Sequence, residues 1–169
     1  MKNIFLKVII SLFLFAICSN SVTSIYAEST EMSNKTFSVK QLKGKTSFNC
    51  FIPTEIAKDW NVELKYPKHI HENMGKVQIH FLDRTGTKLK VAVIEKTAKR
   101  NDIQSGDHKK RVKVKNIDGV FHPLIPTKRI KDVKGGQLTW VQDGTIITLF
   151  SSRISKEELI TIAKSMKKI

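Results

Sequence analysis

Residues 77–93 alternate between apolar and polar side chains on both sides of a turn, and this pattern restricts the fold more than any other feature of the sequence. The apolar positions are Val77, Ile79 and Phe81 before the turn at 83–87, and Leu89, Val91 and Val93 after it. Successive side chains of a strand point to opposite faces, so one face of such a hairpin packs on a core and the other meets water. The pattern therefore predicts an antiparallel hairpin within a sheet.

Further strands and turns flank this hairpin. Strands are predicted at 61–66, 111–115, 138–141 and 145–150, a polar loop at 96–110, and turns at 116–119 and at Asp143-Gly144. Val62, Leu64 and Tyr66 are expected to share one face of the first strand, which Pro67 ends. Asp-Gly between two β-rich runs favours a tight hairpin. The sequence thus predicts a sheet of antiparallel hairpins.

Two helical segments are predicted. The first is short, with Thr54 as its cap and its end near Trp60. The second closes the chain, because Ser155 and Glu158 have the spacing of a capping box. Its apolar stripe consists of Leu159, Ile162, Ala163 and Met166. The predicted fold class is α+β: a twisted antiparallel sheet with the C-terminal helix packed on one face.

The N-terminus has the composition of a secretory signal. Lys2 and Lys7 are followed by an apolar run that ends at Cys18, and Ala27 offers a small residue before a cleavage site. We predict a signal peptide at 1–27, a polar linker at 28–46 and an α+β domain at 47–169. A membrane anchor is the first alternative, although the run is shorter than the roughly 20 residues of a spanning helix. A lipid attached at Cys18 is the second, although the bulky Ile17 precedes it.

The chain is strongly basic, with 30 Lys and Arg against 15 Asp and Glu, a net charge of +15. Cleavage after Ala27 would remove two lysines and leave 28 − 15 = +13. A field of this sign favours anionic partners. Outside a cell membrane those are lipid headgroups and phosphate-rich wall polymers. We therefore expect a secreted or envelope-associated protein that binds an anionic membrane surface or a wall polymer, with a partner protein as the alternative and no nucleic acid.

Seven cations form the candidate anion-binding face. They are Lys88 and Lys90 on the return strand of the hairpin, Arg111, Lys113 and Lys115 on the next strand, and Lys109 and Lys110 beside it. If both strands belong to one sheet, the alternation directs the first five of these to its solvent side. The alternative is that these side chains only solvate an exposed face.

The sequence offers no catalytic, metal or cofactor site. It contains neither Gly-x-Ser-x-Gly nor His-Glu-x-x-His. Cys50 lies among large apolar residues, and we expect a buried, inert thiol. His69, His71 and His80 are interpreted as exposed histidines rather than as zinc ligands, because nothing in their spacing fixes a tetrahedral site.

Short motifs follow one another in the C-terminal half. They are Leu138-Thr139-Trp140-Val141-Gln142-Asp143-Gly144, Ser155-Lys156-Glu157-Glu158-Leu159 and Ala163-Lys164-Ser165, with Phe51-Ile52-Pro53 upstream. In this order they resemble the domain-of-unknown-function family numbered 4367, which occurs in secreted proteins, lipoproteins and anti-sigma-like membrane proteins of spore-forming Gram-positive bacteria. The resemblance covers about 48–168. The sequence departs from the family pattern at Lys58-Asp59-Trp60, where members usually carry a Pro-Glu-Gly-like turn. It implies a fold similar to lipoprotein-carrier and envelope-stress-sensor domains, without catalytic residues.

Three functions remain open at this point. The preferred one is an exported, non-enzymatic module whose basic face docks on anionic lipid or wall polymer. The second is an extracytoplasmic sensor or regulator that binds an apolar ligand or a partner protein. The third is a small hydrolase.

Overall fold

Seven strands form one antiparallel sheet, and the remaining elements pack on one of its faces. The computed structural model describes residues 39–99, 109–127 and 132–169. The strands are β1 (Phe51–Pro53), β2 (Asn61–Tyr66), β3 (Lys76–Leu82), β4 (Leu89–Thr97), β5 (Lys110–Val114), β6 (Ile117–Pro123), β7 (Gly136–Gln142), β8 (Thr145–Ser151) and β9 (Met166–Lys168). The helix α1 spans Lys156–Lys164, and Val39–Leu42 form a single 3₁₀ turn.

The large sheet has the strand order β2-β3-β4-β8-β7-β6-β5, and each neighbouring pair is antiparallel. The short strands β1 and β9 form a separate pair. The predicted α+β class, with hairpins and a C-terminal helix, is confirmed.

The two strongest hairpin predictions are confirmed. Ile79 lies opposite Val93 across β3 and β4. In the β7–β8 hairpin, Asp143 and Gly144 have φ values of 47° and 78°. Two successive residues in the left-handed region form the turn type that matches the twist of a tight hairpin.

The C-terminal helix begins as predicted. The Glu158 N–H donates to Ser155 Oγ at 3.2 Å, and the Ser155 N–H donates to Glu158 Oε2 at 2.7 Å, which completes the capping box. Leu159, Ile162 and Ala163 are buried. Met166 is also buried, but its assignment to the helical stripe is wrong, because it begins β9.

The predicted helix from Thr54 to Trp60 is also wrong, because the groups that would cap it bind the C-terminal segment. Thr54 Oγ1 donates to the Ser165 carbonyl at 2.9 Å, and the Glu55 N–H donates to Ser165 Oγ at 3.1 Å. The chain turns instead, and the Trp60 N–H donates to the Ala57 carbonyl at 3.1 Å.

Two details of the predicted strands differ in the structure. The register of β2 against β3 shifts between Leu64 and Tyr66, so that Tyr66 lies opposite Gln78 and its side chain is on the face opposite to Leu64. The turn predicted at 116–119 lies two residues earlier, because Lys115 adopts a φ of 54° and Val114 pairs with Ile117.

The folded region begins before the predicted boundary at residue 47. Leu42 is fully buried in the core cluster, and Thr46 bridges to Met74. The signal peptide predicted at 1–27, residues 28–38 of the linker and residues 100–108 of the polar loop lie outside the described residues. Within 39–99, 109–127 and 132–169, no helix is long and apolar enough to cross a membrane.

Candidate functional site: the open face of the sheet

Strand register divides the side chains of the large sheet into two faces. The covered face contains Ile79, Val93, Leu149, Leu138 and Phe121, which lie opposite one another across five strands. These side chains belong to the core cluster together with Leu159 and Ile162 of α1. Helix α1, β1 and β9 therefore pack on this face.

We call the opposite side the open face, because no helix or strand of the described residues packs on it. Its side chains come from alternate positions of the seven strands. They are Glu63 and Tyr66 on β2; Lys76, Gln78 and His80 on β3; Ala92, Ile94 and Lys96 on β4; Ile146, Thr148 and Phe150 on β8; Gln137, Thr139 and Val141 on β7; Asp118, Val120 and His122 on β6; and Arg111 and Lys113 on β5.

The centre of the open face is apolar. This apolar centre consists of Ala92, Ile94, Val120, Val141, Ile146 and Phe150, on four adjacent strands. Ala92 and Ile146 are buried, whereas the other four are half-buried. Thr139 and Thr148 lie among them and share a hydrogen bond of 3.1 Å between their hydroxyls.

Cations lie on both sides of the apolar centre. Arg111 and Lys113 form the β5 margin, and both are exposed. Lys76 and Lys96 form the β3–β4 margin, where they lie directly opposite each other. The Lys76 ammonium is 5.3 Å from the centre of the Tyr66 ring, which the bulge in β2 places on this face. Five strand spacings separate β5 from β3, about 24 Å.

Only two of the seven predicted anion-binding residues belong to the open face. Arg111 and Lys113 do, and Lys113 forms an ion pair of 2.7 Å with Asp118. Lys110 lies opposite Phe121 on the covered side of the same strand. Lys115 is in the turn after β5, and its ammonium donates to the Met166 carbonyl at 3.3 Å.

The other three predicted cations lie at strand ends. Lys88 is exposed and precedes β4, and Lys90 is the unpaired residue of a register shift near the start of β4. Lys109 directly precedes β5. Strands β4 and β5 belong to one sheet, as the prediction required, but β8, β7 and β6 lie between them. Four spacings, about 19 Å, therefore separate the hairpin cations from the β5 cations.

Lys76 and Lys96 are the cations that sequence reasoning missed. Lys76 precedes Val77, the first inward residue of β3, so the alternation already directed it outward. Lys96 follows the buried Glu95, so alternation directs it outward as well. The sequence pattern, however, predicts a polar loop from residue 96 onward rather than a strand.

The structure does not bring His69, His71 and His80 together as a metal site. His80 is on the open face, within 2.9 Å of the Gln78 side-chain nitrogen, and partial burial lowers the pKa of its imidazole. His69 and His71 are exposed in the segment between β2 and β3. Among the residues described, no group of three His, Cys, Asp or Glu side chains is arranged to hold a metal ion.

A second polar cluster lies inside the core. Glu95 is on the covered face of β4 and is fully buried. Its carboxylate accepts hydrogen bonds from the Phe51 N–H at 3.1 Å and from the Cys50 thiol at 2.9 Å. Burial raises the pKa of Glu95 to about 7, although these two hydrogen bonds act in the opposite direction.

The expected burial of Cys50 is confirmed, since only 4% of the residue is exposed. Burial, followed by the nearby Glu95 carboxylate, raises the pKa of its thiol. The thiolate is the nucleophilic form of cysteine, so this environment suppresses reactivity. The cluster thus joins β1 to β4 rather than presenting a reactive group.

A comparison with protein families finds one match. The family model described as "Domain of unknown function (DUF4367)" matches residues 50–166, which is more than half of the chain. The matched region runs from the residue before β1 to the first residue of β9, so it includes the whole large sheet and α1. No curated protein and no solved structure matches the chain.

Proposed function

We propose that this chain, which belongs to the DUF4367 family, is an exported, non-enzymatic module that docks on a phosphate-rich anionic component of the cell envelope. The open face is the docking surface. Arg111 and Lys113 at one margin, and Lys76 and Lys96 at the other, bind the anionic groups. The ligand class is anionic lipid or wall polymer.

The observation that carries this proposal is the arrangement of cations on both margins of a face that no described element covers. The two margins contribute four cations, against the two acids Asp118 and Glu63 on the same face. The excess of 30 basic over 15 acidic residues adds a positive field around the whole chain. Such a field increases the rate of encounter with any polyanionic surface.

The strength of the interaction follows from the number of cations. Each cation held near an anionic lipid surface contributes about 1 kcal/mol, so four contribute at most about 4 kcal/mol, and the ion pair between Lys113 and Asp118 reduces this sum. That is enough for reversible docking, and screening by salt weakens it. Binding through these margins is therefore expected to be moderate and strongly salt-dependent.

The export signal predicted at 1–27 supports an envelope component rather than a nucleic acid as the partner. A non-enzymatic role is supported by the chemistry of the described residues. Cys50, the cysteine within the described residues, is buried against Glu95, and the two acids on the open face lie on β2 and β6, which four other strands separate. Acid–base catalysis needs such groups within reach of one substrate.

Sedimentation of the protein with anionic vesicles and with purified cell wall tests this function. The test variants are Arg111→Gln with Lys113→Gln for the β5 margin, and Lys76→Gln with Lys96→Gln for the β3–β4 margin. The matched control is Lys167→Gln with Lys168→Gln, which removes two exposed cations from β9 on the covered side. All three pairs change the net charge by the same amount.

We expect each open-face pair to weaken binding about tenfold or more, and the β9 pair to change it by much less. Binding should also weaken between about 0.05 and 0.5 M salt. Binding that is indifferent to salt, or that falls equally in all three pairs, would contradict docking through the open face.

A further inference from the structure

We propose that the buried carboxyl group of Glu95 is a pH-sensitive tether, which holds β1 and its partner strand β9 on the large sheet and releases them more often when it ionises. The large sheet stays folded during this local opening. The inference concerns the core of the domain and does not depend on what the open face binds. It is carried by the position of a buried carboxyl group at the place where the strand pair joins the sheet.

Strand β1 is attached to the large sheet through Glu95. In the part of the chain that the structure describes, β1 pairs with β9 and with no strand of the large sheet. The Phe51 N–H points instead at the Glu95 carboxyl group, and its nitrogen is 3.1 and 3.2 Å from the two oxygens. The thiol of Cys50, the residue before β1, adds a third contact at 2.9 Å. A change of charge on Glu95 therefore acts directly on the junction between β1 and the sheet.

Other hydrogen bonds hold the two ends of β1. Thr145 Oγ1 donates to the Asn49 carbonyl at 2.7 Å, just before the strand. Thr54 Oγ1 donates to the Ser165 carbonyl at 2.9 Å, just after it. These two contacts join hydroxyl groups to backbone carbonyls, so they carry no charge that depends on pH. The titrating group of this junction is therefore Glu95.

The surroundings of Glu95 favour its neutral form. The side chain is fully buried, and no basic residue of the described ranges forms an ion pair with it. Its neighbours across the strand pairs, Val77 of β3 and Ile147 of β8, are apolar. The titratable group that faces it is the Cys50 thiol, which keeps its proton because burial raises its pKa. The charged side chains of α1 and β9 are exposed or half-buried, and the structure gives none of them an interaction with Glu95.

The two protonation states of Glu95 satisfy the junction differently. In the neutral state one oxygen accepts from the Phe51 N–H while the hydroxyl donates to the Cys50 sulfur, so every polar group has a partner. In the ionised state a negative charge is buried with two hydrogen bonds and no cation, which is costly. Burial raises the pKa of Glu95 to about 7, so both states are populated near neutral pH. Opening of the strand pair admits water to the carboxylate and removes the cost.

The strand pair is the part of this junction that gives way first. Strands β1 and β9 have three residues each, and an isolated two-stranded pair is marginally stable. Glu95 itself lies in β4, which pairs with β3 on one side and with β8 on the other. Phe51 and Met166 of the strand pair are each 1% exposed, so the closed form remains the major one and opening is a minor event.

The direction of the pH effect follows from proton binding. The pKa of Glu95 in the closed form, about 7, lies above its ordinary value of 4.5, so the closed form holds the proton more tightly than the open form does. Opening is therefore rare below about pH 4.5 and becomes more frequent as the pH rises through 7. With these two pKa values, the equilibrium constant for opening increases roughly 70-fold between about pH 5 and about pH 8.

Hydrogen exchange of the full-length protein, followed by NMR between about pH 5 and 8, tests the tether. The amides of Phe51 and Ile169 report on the strand pair, because they donate to Glu95 and to the Cys50 carbonyl. The amides of Val93 and Leu149, in interior strands, report on the large sheet. Each rate is divided into the intrinsic rate at the same pH to give a protection factor. We expect lower protection in the strand pair than in the sheet, and a fall of at least about tenfold in the strand pair over this range.

Two variants and a control assign the fall to Glu95. Glu95→Gln should abolish it, since glutamine does not ionise and its oxygen can still accept from the Phe51 N–H. The matched control Glu63→Gln removes a carboxylate from the surface of β2 and should retain the fall. Cys50→Ala provides an independent test if Glu95→Gln does not fold. Its thiol hydrogen bond lowers the pKa of Glu95, so its loss should make the fall larger than in the wild type.

Several outcomes would overturn the inference. Equal protection of all four amides at every pH would show that the strand pair opens only with the whole sheet, which would reject the tether even if global stability depends on pH. Protection of Phe51 and Ile169 that stays constant, or that falls as much in Glu95→Gln as in the wild type, would show that Glu95 does not control the opening. A fall in Cys50→Ala that is no larger than in the wild type would lead to the same conclusion.

Discussion

The Glu95 carboxylate accepts a hydrogen bond from the backbone N–H of Phe51 at 3.1 Å, between two residues of which at most 1% is exposed. Phe51 is in β1, which pairs with the C-terminal strand β9, and Glu95 is in β4, an interior strand of the large sheet. This contact therefore links the first strand, the last strand and the main sheet. It also places a titratable group in the core.

Burial of Glu95 makes the stability of the protein depend on pH. Its pKa is about 7 in the folded state, against an ordinary value of 4.5, so the folded state holds the proton more tightly than the unfolded state does. The resulting stabilisation is complete below about pH 4.5 and is lost as the pH rises through 7. We expect Glu95 to lower the free energy of unfolding by about 3 kcal/mol across this window. Urea denaturation at a series of pH values measures it.

Glu95→Gln should remove this decline, since glutamine does not titrate and its side-chain oxygen can still accept from the Phe51 N–H. The control is Glu63→Gln, which removes a carboxylate from the surface of β2 and should retain the decline. A wild-type stability that rises between pH 4.5 and 7, or a decline that persists in Glu95→Gln, would show that Glu95 is not the group responsible.

The Cys50 thiol is expected to react only when the protein unfolds locally or globally, because it is buried and hydrogen-bonded to Glu95. Reaction with an aromatic disulfide reagent should be at least about a hundredfold slower in the folded protein than in urea. The rate should also increase in destabilised variants that do not touch Cys50. Equal rates in the folded and unfolded proteins would place the thiol at the surface.

Gly136 is expected to resist substitution. A Cβ at this position would overlap the His122 carbonyl oxygen and would lie 2.6 Å from Cζ of Phe121, so neither β6 nor the buried ring could remain in place. Gly136→Ala should lower the free energy of unfolding by about 3 kcal/mol. The matched control is Gly75→Ala, where a Cβ has nothing within 4 Å. Denaturation curves of the two variants should differ clearly, and similar midpoints would contradict this packing.

The capping box of α1 gives a further prediction. Ser155→Ala removes the acceptor for the Glu158 N–H, and it should cost about 1 kcal/mol of unfolding free energy. Ser152→Ala provides a control in the same segment, because the hydrogen bond to the Lys134 N–H uses the Ser152 backbone carbonyl and not its side chain. Thermal or chemical denaturation distinguishes the two, and an equal effect of both substitutions would argue against the cap.

Local patterns in the sequence were sufficient to predict most of the sheet and the start of the helix. Alternation located β3 and β4, and the Asp143-Gly144 turn located the β7–β8 hairpin. The same alternation contained a signal that went unused: Glu95 follows Val91 and Val93 at a spacing of two, which places its carboxylate on the buried face. A charged residue at such a position is expected to be hydrogen-bonded within the core.

Long-range pairing could not be predicted from local patterns. Strands β1 and β9 have three residues each, too few to show a period, and their pairing joins the two ends of the domain. The bulge that moves Tyr66 to the open face leaves no distinct pattern in the sequence. The position of β8 beside β4 separates Lys88 and Lys90 from Arg111 by three intervening strands. Of the seven cations predicted to form one face, only Arg111 and Lys113 therefore lie together on the open face.

The most direct test of the open face is a map of which residues approach the anionic surface. Isotope-labelled protein is bound to anionic lipid particles that carry a paramagnetic headgroup, and the broadening of each backbone amide signal is recorded. We expect the strongest broadening around Val120, Thr148 and Lys113, and the weakest in α1, which lies on the other side of the sheet. Broadening centred on α1 and β9, with the open-face strands unaffected, would contradict the account.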